Sequence, residues 1–136
     1  MSSAVAVRAE MNSLRELIDK LVQEHRAYPA QVDGLARSQD FGELGERFVR
    51  LQDSLTEHML REEFEVYPEL MKRGLFDETT STIMQQHHDL TASLGKMELA
   101  LRIRNLGEFR AALGELDRVL RVHQPAEEEE VFPRAL

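Results

Sequence analysis

The chain has 136 residues, of which 17 are basic and 25 acidic, for a formal net charge of -8. That length suits one domain with one moderate core, and an acidic chain without a basic stripe is a poor partner for nucleic acid or anionic membranes. It contains no cysteine, which removes disulfides, thiolate zinc sites, iron–sulfur ligation and cysteine nucleophiles together.

The composition favours helix. Nineteen Leu stand against three Ile, and Leu, Glu, Arg, Gln and Ala are good helix formers. No stretch alternates apolar and polar residues long enough to require a strand. The first amphipathic stretch runs roughly from Val7 to Ser38, with Leu14, Leu17, Ile18, Leu21 and Val22 leading to His25 and Tyr28. The second follows Asp40, an N-cap with Glu43 three residues on, as in a capping box. Its stripe is Leu44, Phe48, Leu51 and Leu55, then His58, Glu62 and Val66, with Gly74 as its C-cap. The third starts near Asp77 and carries Ile83, His87, Leu90, Leu94, Met97 and Leu101. The fourth follows Asn105 and carries Phe109, Leu113, Leu116 and Leu120, then His123 and Glu127. Four such helices with short connections predict an all-α, up-down-up-down four-helix bundle. Residues 1–136 read as one domain.

An internal repeat marks two halves. The segment from His58 to Pro68, HMLREEFEVYP, recurs from His123 to Pro133 as HQPAEEEEVFP, identical at six of eleven positions. A looser match links Leu21 and His25 to Ile83 and His87.

Four of the five histidines, His25, His58, His87 and His123, continue the apolar stripes of four different helices. Glu62 and Glu127 each follow a histidine at i+4, one turn along the same face. Stripes that share one core therefore bring four imidazoles and two carboxylates together. Burying two ionised carboxylates costs several kcal/mol each, roughly, unless a cation compensates. A metal site supplies that compensation and uses the imidazole nitrogens. Imidazole with carboxylate suits iron, zinc or manganese. Six ligands exceed the four of a structural zinc site and fit two ions, with Glu62 and Glu127 as bridges. A two-iron centre is the favoured reading. No Glu precedes any His by three residues, unlike the ferritin-like carboxylate sites. There is no His-Glu-x-x-His motif and no glycine-rich phosphate loop.

These residues resemble the hemerythrin-like, or HHE cation-binding, family. The resemblance rests on Glu24-His25, on His58-x-x-x-Glu62-Glu63 ending in Tyr67-Pro68, on His87 within Gln86-His87-His88-Asp89-Leu90, and on His123-x-x-x-Glu127-Glu128 ending in Phe132-Pro133. It spans about residues 13 to 136. It implies a four-helix bundle holding two non-haem iron ions, bridged by carboxylates and oxo or hydroxo groups. By motif matching, His25, His58, Glu62, His87, His123 and Glu127 are the ligands. The chain departs from oxygen-carrying hemerythrins, which have a second histidine one turn after the third-helix ligand, where this chain has Thr91. Those carriers also have His-x4-Asp on the last helix, against His123-x3-Glu127 here. The match is to the branch with four His and two Glu. That branch implies binding of, or redox reaction with, dioxygen, peroxide or nitric oxide in iron or oxidative-stress handling. Reversible oxygen or iron binding without turnover, or an interaction domain with a relic site, are the alternatives.

Several residues beside the site carry expectations. The stripe favours His87 over the adjacent His88. Glu63, Glu65, Glu128, Glu129 and Glu130 read as mostly solvated, with Glu65 or Glu130 candidates for the site mouth. Tyr28 and Tyr67 read as packing residues or as hydrogen-bond partners of ligands. Met59, Met71, Met84 and Met97 read as core filler. Pro29 and Pro125 fall inside helical stretches and delete backbone bonds to the residues four before them. Pro68 and Pro133 are expected to end or bend helices. No apolar run approaches a membrane span, and the N-terminal residues lack a signal-peptide pattern. A cytoplasmic monomer or homodimer, binding a small diatomic or peroxide ligand, is the expectation.

Overall fold

The computed structural model describes residues 3–136. They form α1 (Ser3–Arg37), α2 (Phe41–Arg61), a π-helical turn (Glu62–Val66), α3 (Tyr67–Lys72), α4 (Glu78–Arg102), α5 (Leu106–Ala126), a second π-helical turn (Glu127–Val131) and α6 (Phe132–Ala135). No strand occurs among the described residues. α1 packs on α2 and α5, and α4 packs on α2 and α5. With α2 and α5 each continuing through a π turn into a short helix, this is an up-down-up-down four-helix bundle.

The helix starts follow the chemistry of their caps. Asp40 accepts from the Gly42 N–H at 3.1 Å, Asp77 from Thr80 at 3.0 Å, and Asn105 from Glu108 at 3.0 Å. Each thereby satisfies a backbone donor the first turn leaves free. The expected capping box at α2 does not close. Glu43 pairs instead with Arg47 Nε at 2.9 Å, one turn along its own helix. Gly74 ends α3 at φ +70°, with its N–H on Met71 O at 3.1 Å and the Leu75 N–H on Leu70 O at 2.8 Å. Glycine takes this left-handed position without the penalty a Cβ brings. Arg134 reaches Asp77 Oδ2 at 2.7 Å, tying the last helix to the start of α4. The Thr80 N–H and Arg134 hold the Asp77 carboxyl down at about 2.

Pro68 and Pro133 do not end their helices. Pro68 has no N–H to offer the Phe64 carbonyl, four residues back. The Tyr67 N–H instead reaches five residues, to Glu62 O. Phe132 bonds Glu127 O in the same way, ahead of Pro133. The helix widens by one residue at each repeat and then resumes as α3 or α6. Pro29 and Pro125 are likewise carried inside α1 and α5.

The core divides into two apolar clusters. One contains Tyr28, Leu35, Leu51, Leu55, Leu90, Leu94, Phe109, Leu116 and Leu120, among others. The other is built on Ile18, Leu21, Val66, Tyr67, Leu70, Ile83, Val131 and Phe132. On every long helix the residues between these sets are the predicted metal ligands. His25 lies between Leu21 and Tyr28, and His87 between Ile83 and Leu90. His58 and Glu62 lie between Leu55 and Val66, and His123 and Glu127 between Leu120 and Val131. The core thus encloses one polar layer. Met59 and Met97 are buried in it, but Met71 is exposed and Met84 only half-buried.

Candidate metal centre

All six predicted residues are buried, and Glu62 and Glu127 have no exposed surface at all. Each histidine turns its Nε2 inward. His58 Nε2 lies 3.2 Å from Glu62 Oε2, and His87 Nε2 lies 3.0 Å from Glu62 Oε1. His123 Nε2 is 3.2 Å and His25 Nε2 3.3 Å from Glu127 Oε1. His25 and His58 bring their Nε2 atoms within 3.0 Å of each other.

These atoms fall into two overlapping sets. One is His25, His58, Glu62 and Glu127; the other is Glu62, His87, His123 and Glu127. Within each set the four donor atoms lie within 4.8 Å of one another. Both carboxylates belong to both sets. Glu62 presents one oxygen to His58 and the other to His87.

The donors lack other partners. Both Glu62 oxygens, Glu127 Oε1, His87 Nε2 and His123 Nε2 make no aligned hydrogen bond although they are buried. Their contacts are short but poorly directed. Buried polar groups are rarely left unpaired without a reason, and a cation at each set supplies one. The residues present fit a metal ion of the nitrogen-and-oxygen type.

Without metal, protons carry the charge balance. Burial and then the charge of Glu127 push the Glu62 carboxyl well above its usual range. Burial acts the same way on Glu127, but His123, His25 and His87 overcome it and hold that carboxyl well below its usual range. Burial would lower His87, yet its contacts with Glu127 and Glu62 push it up to about 10. His58 is lowered, mainly by burial, despite Glu24.

The outward ring nitrogens have partners of their own. His58 Nδ1 donates to Glu24 Oε1 at 2.8 Å, and Arg61 Nη2 clamps both Glu24 oxygens at 3.1 and 2.9 Å. His87 Nδ1 donates to Glu63 Oε1 at 3.1 Å, and His123 Nδ1 to Gln86 Oε1 at 2.8 Å. Such partners hold a hydrogen on Nδ1 and make Nε2 the nitrogen that faces the layer. Only His25 Nδ1 is without one; Glu128 Oε2 stands 3.9 Å away. Tyr67 donates its phenol to Glu127 Oε2 at 2.9 Å. Tyr28 packs edge-on against His58, with ring centroids 5.6 Å apart.

Two sequence expectations change here. Glu63 and Glu128 are only part-exposed, at 38% and 36% of their side chains, and lie beside His87 and His25. Glu65 and Glu130 are the exposed pair, and Glu130 bonds Arg134 at 3.3 Å. Sequence reasoning gave no role to Glu24 or Gln86. The signal was present, since each immediately precedes a stripe histidine in the matching part of its half. His88 is exposed, which leaves His87 as the inward residue.

The family model of the hemerythrin HHE cation-binding domain matches residues 6–135. The chain belongs to this family. No curated protein and no solved structure matches it significantly. As a hemerythrin-family chain it departs from the five-histidine pattern at one turn after His87. Thr91 there is exposed, and fully buried Leu90 takes the inward position. No fifth imidazole enters the layer. Among the described residues, no helix is long and apolar enough to cross a membrane.

Proposed function

We propose that this chain is a non-haem diiron protein that binds or reacts with dioxygen, peroxide or nitric oxide, in iron or oxidative-stress handling. The observation that carries the reading is the pair of His/Glu sets that share both buried carboxylates. In this reading His25 and His58 ligate one ion, and His87 and His123 the other. Glu62 and Glu127, present in both sets, would be shared between the two ions. Iron held this way supplies one-electron redox chemistry and open positions for a small exogenous ligand.

The chain's own residues prepare that chemistry. Glu24, Glu63 and Gln86 each hold an Nδ1 hydrogen, so that Nε2 is the nitrogen these three rings would offer to a metal. Tyr67 holds Glu127 through Oε2 and leaves Oε1 toward His25 and His123. Phe132 stacks on His25 at 5.7 Å between centroids, and the two apolar clusters close the layer from above and below. Removing water in this way strengthens every electrostatic contact inside. Residues 1–136 act as one domain in this reading, cytoplasmic and monomeric or homodimeric.

The test is anaerobic reconstitution with ferrous iron, followed by addition of dioxygen, hydrogen peroxide or nitric oxide. A change in visible absorption with at least one of them is expected. Repeated turnover with released product makes the protein an enzyme. A stoichiometric change reversed by removing the ligand makes it a binder or sensor. No change with any of the three contradicts the proposal.

A further inference from the structure

The two halves of the chain meet about the polar layer as near copies. His25 corresponds to His87, His58 to His123, Glu62 to Glu127 and Glu63 to Glu128. The inner donors are therefore chemically matched. The residues around them are not.

The first difference is the partner of the α2 and α5 histidines. His58 Nδ1 meets the carboxylate of Glu24 at 2.8 Å, held in place by Arg61. His123 Nδ1 meets the neutral amide oxygen of Gln86, also at 2.8 Å. The lengths are equal and the charge differs. An anionic acceptor makes an imidazole a stronger donor to a metal than a neutral one does. Position 61 holds an arginine that fixes the acceptor, whereas its counterpart is Ala126.

The second difference lies one residue past each π turn. Tyr67 donates to Glu127 Oε2, and its ring stands edge-on to His87 at 6.0 Å between centroids. Glu127 Oε2 is also the oxygen 3.7 Å from His87 Nε2. The phenol therefore draws electron density from a carboxylate oxygen on the His87 side. Its counterpart Phe132 only stacks on His25 and donates nothing. Glu63 accepts from His87 Nδ1 at 3.1 Å, whereas Glu128 stands 3.9 Å from His25 Nδ1 and can take the same role only once that nitrogen carries the ring hydrogen; the two are the same residue type and become equivalent partners when both rings ligate through Nε2. Both differences of chemistry favour the same side.

We infer that the two metal positions are unequal, the His25/His58 position binding a divalent cation more tightly than the His87/His123 position and filling first. Glu24 is the positioning residue that sets the order. This inference rests on the two-metal reading above. Two ions repel each other, so stepwise binding by the intact chain would not locate the difference. Half-sites do.

The experiment is calorimetric binding of Co2+ to His123→Ala, which keeps the first position, and to His58→Ala, which keeps the second. Circular dichroism confirms helicity. His123→Ala should bind one Co2+ about tenfold or more tightly than His58→Ala, the range for losing such an outer partner. In the intact chain, Glu24→Gln keeps the shape and removes the charge. It should weaken the first binding step by a similar factor, and Gln86→Glu should tighten the second. These two variants decide the matter if a half-site variant does not fold. Two ions per intact chain with equal half-sites, or unchanged steps in Glu24→Gln and Gln86→Glu, overturn the inference and leave the two-metal reading standing. No Co2+ bound by the intact chain overturns both.

Discussion

His25 and His58 face each other through Nε2 atoms 3.0 Å apart in the middle of the bundle. His58 already gives its Nδ1 proton to Glu24, so its Nε2 carries a lone pair. His25 must then donate from Nε2, which explains why its Nδ1 has no partner. Both nitrogens belong to one metal-sized set. A cation there would take the Nε2 lone pairs of both rings and leave the His25 hydrogen to Nδ1, which stands 3.9 Å from Glu128 Oε2.

Metal uptake should release protons. His87 is raised to about 10 and so carries both ring protons at neutral pH without metal, while burial and Glu127 push the Glu62 carboxyl up. His87 must lose a proton to ligate. Affinity therefore rises with pH through the neutral range and falls on acidification. The metal-free fold behaves oppositely at His87. A raised histidine contributes stability in full below its unfolded value near about 6.5, and that contribution is lost as pH rises through about 10. Calorimetry in two buffers of different ionisation heat checks the proton release; identical heats contradict it.

Tyr67→Phe removes the one aligned donor to Glu127 Oε2 among the described residues and leaves a buried carboxylate oxygen unpaired. A hydrogen bond to a charged group contributes about 1.5–3 kcal/mol. Urea unfolding of the metal-free variant should show a loss of that size, and one smaller than about 0.5 kcal/mol would remove Tyr67 from the account.

The bundle and its polar layer were legible in the sequence because both rest on periodicity. Asp40, Asp77 and Asn105 announce helix starts, and the His and Glu residues sit on stripes whose neighbours must be buried. The π turns were less legible. Pro68 predicts a disturbed helix, but whether the chain stops or widens depends on Leu70 and Val66 finding the second apolar cluster. Glu63 and Glu128, the second residue of each π turn, lie beside His87 and His25, which i+4 spacing from His58 and His123 does not reveal. Glu43 shows the opposite limit. A capping-box pattern lost to Arg47, an ion-pair partner one turn along. Glu24 and Gln86 stood in the motif, but their bonds to His58 and His123 on other helices were readable only by laying one half of the chain on the other.

Pro68→Ala tests the π turn directly. An N–H at position 68 gives the Phe64 carbonyl a partner and favours regular α geometry. Glu62 and Tyr67 then lose their register. Helicity should be retained while Co2+ affinity falls by about tenfold or more, the scale of a disturbed ligand surround. Unchanged affinity would show that the site does not depend on the widened turn.

Leu116 is fully buried in the cluster below the polar layer, whereas Val122 is 55% exposed. Leu116→Ala should cost about 2–5 kcal/mol of unfolding free energy. Val122→Ala should stay within about 0.5 kcal/mol. Similar losses in both would contradict the assignment of the core.

The central claim is that six residues from two matched halves hold two iron ions. Elemental analysis of protein expressed with ample iron and purified without chelators tests it most directly. The account predicts about two irons per chain, with the loss of at least one in His58→Ala and in Glu127→Ala. Near-zero iron after anaerobic reconstitution, or a single zinc that survives both substitutions, would contradict it.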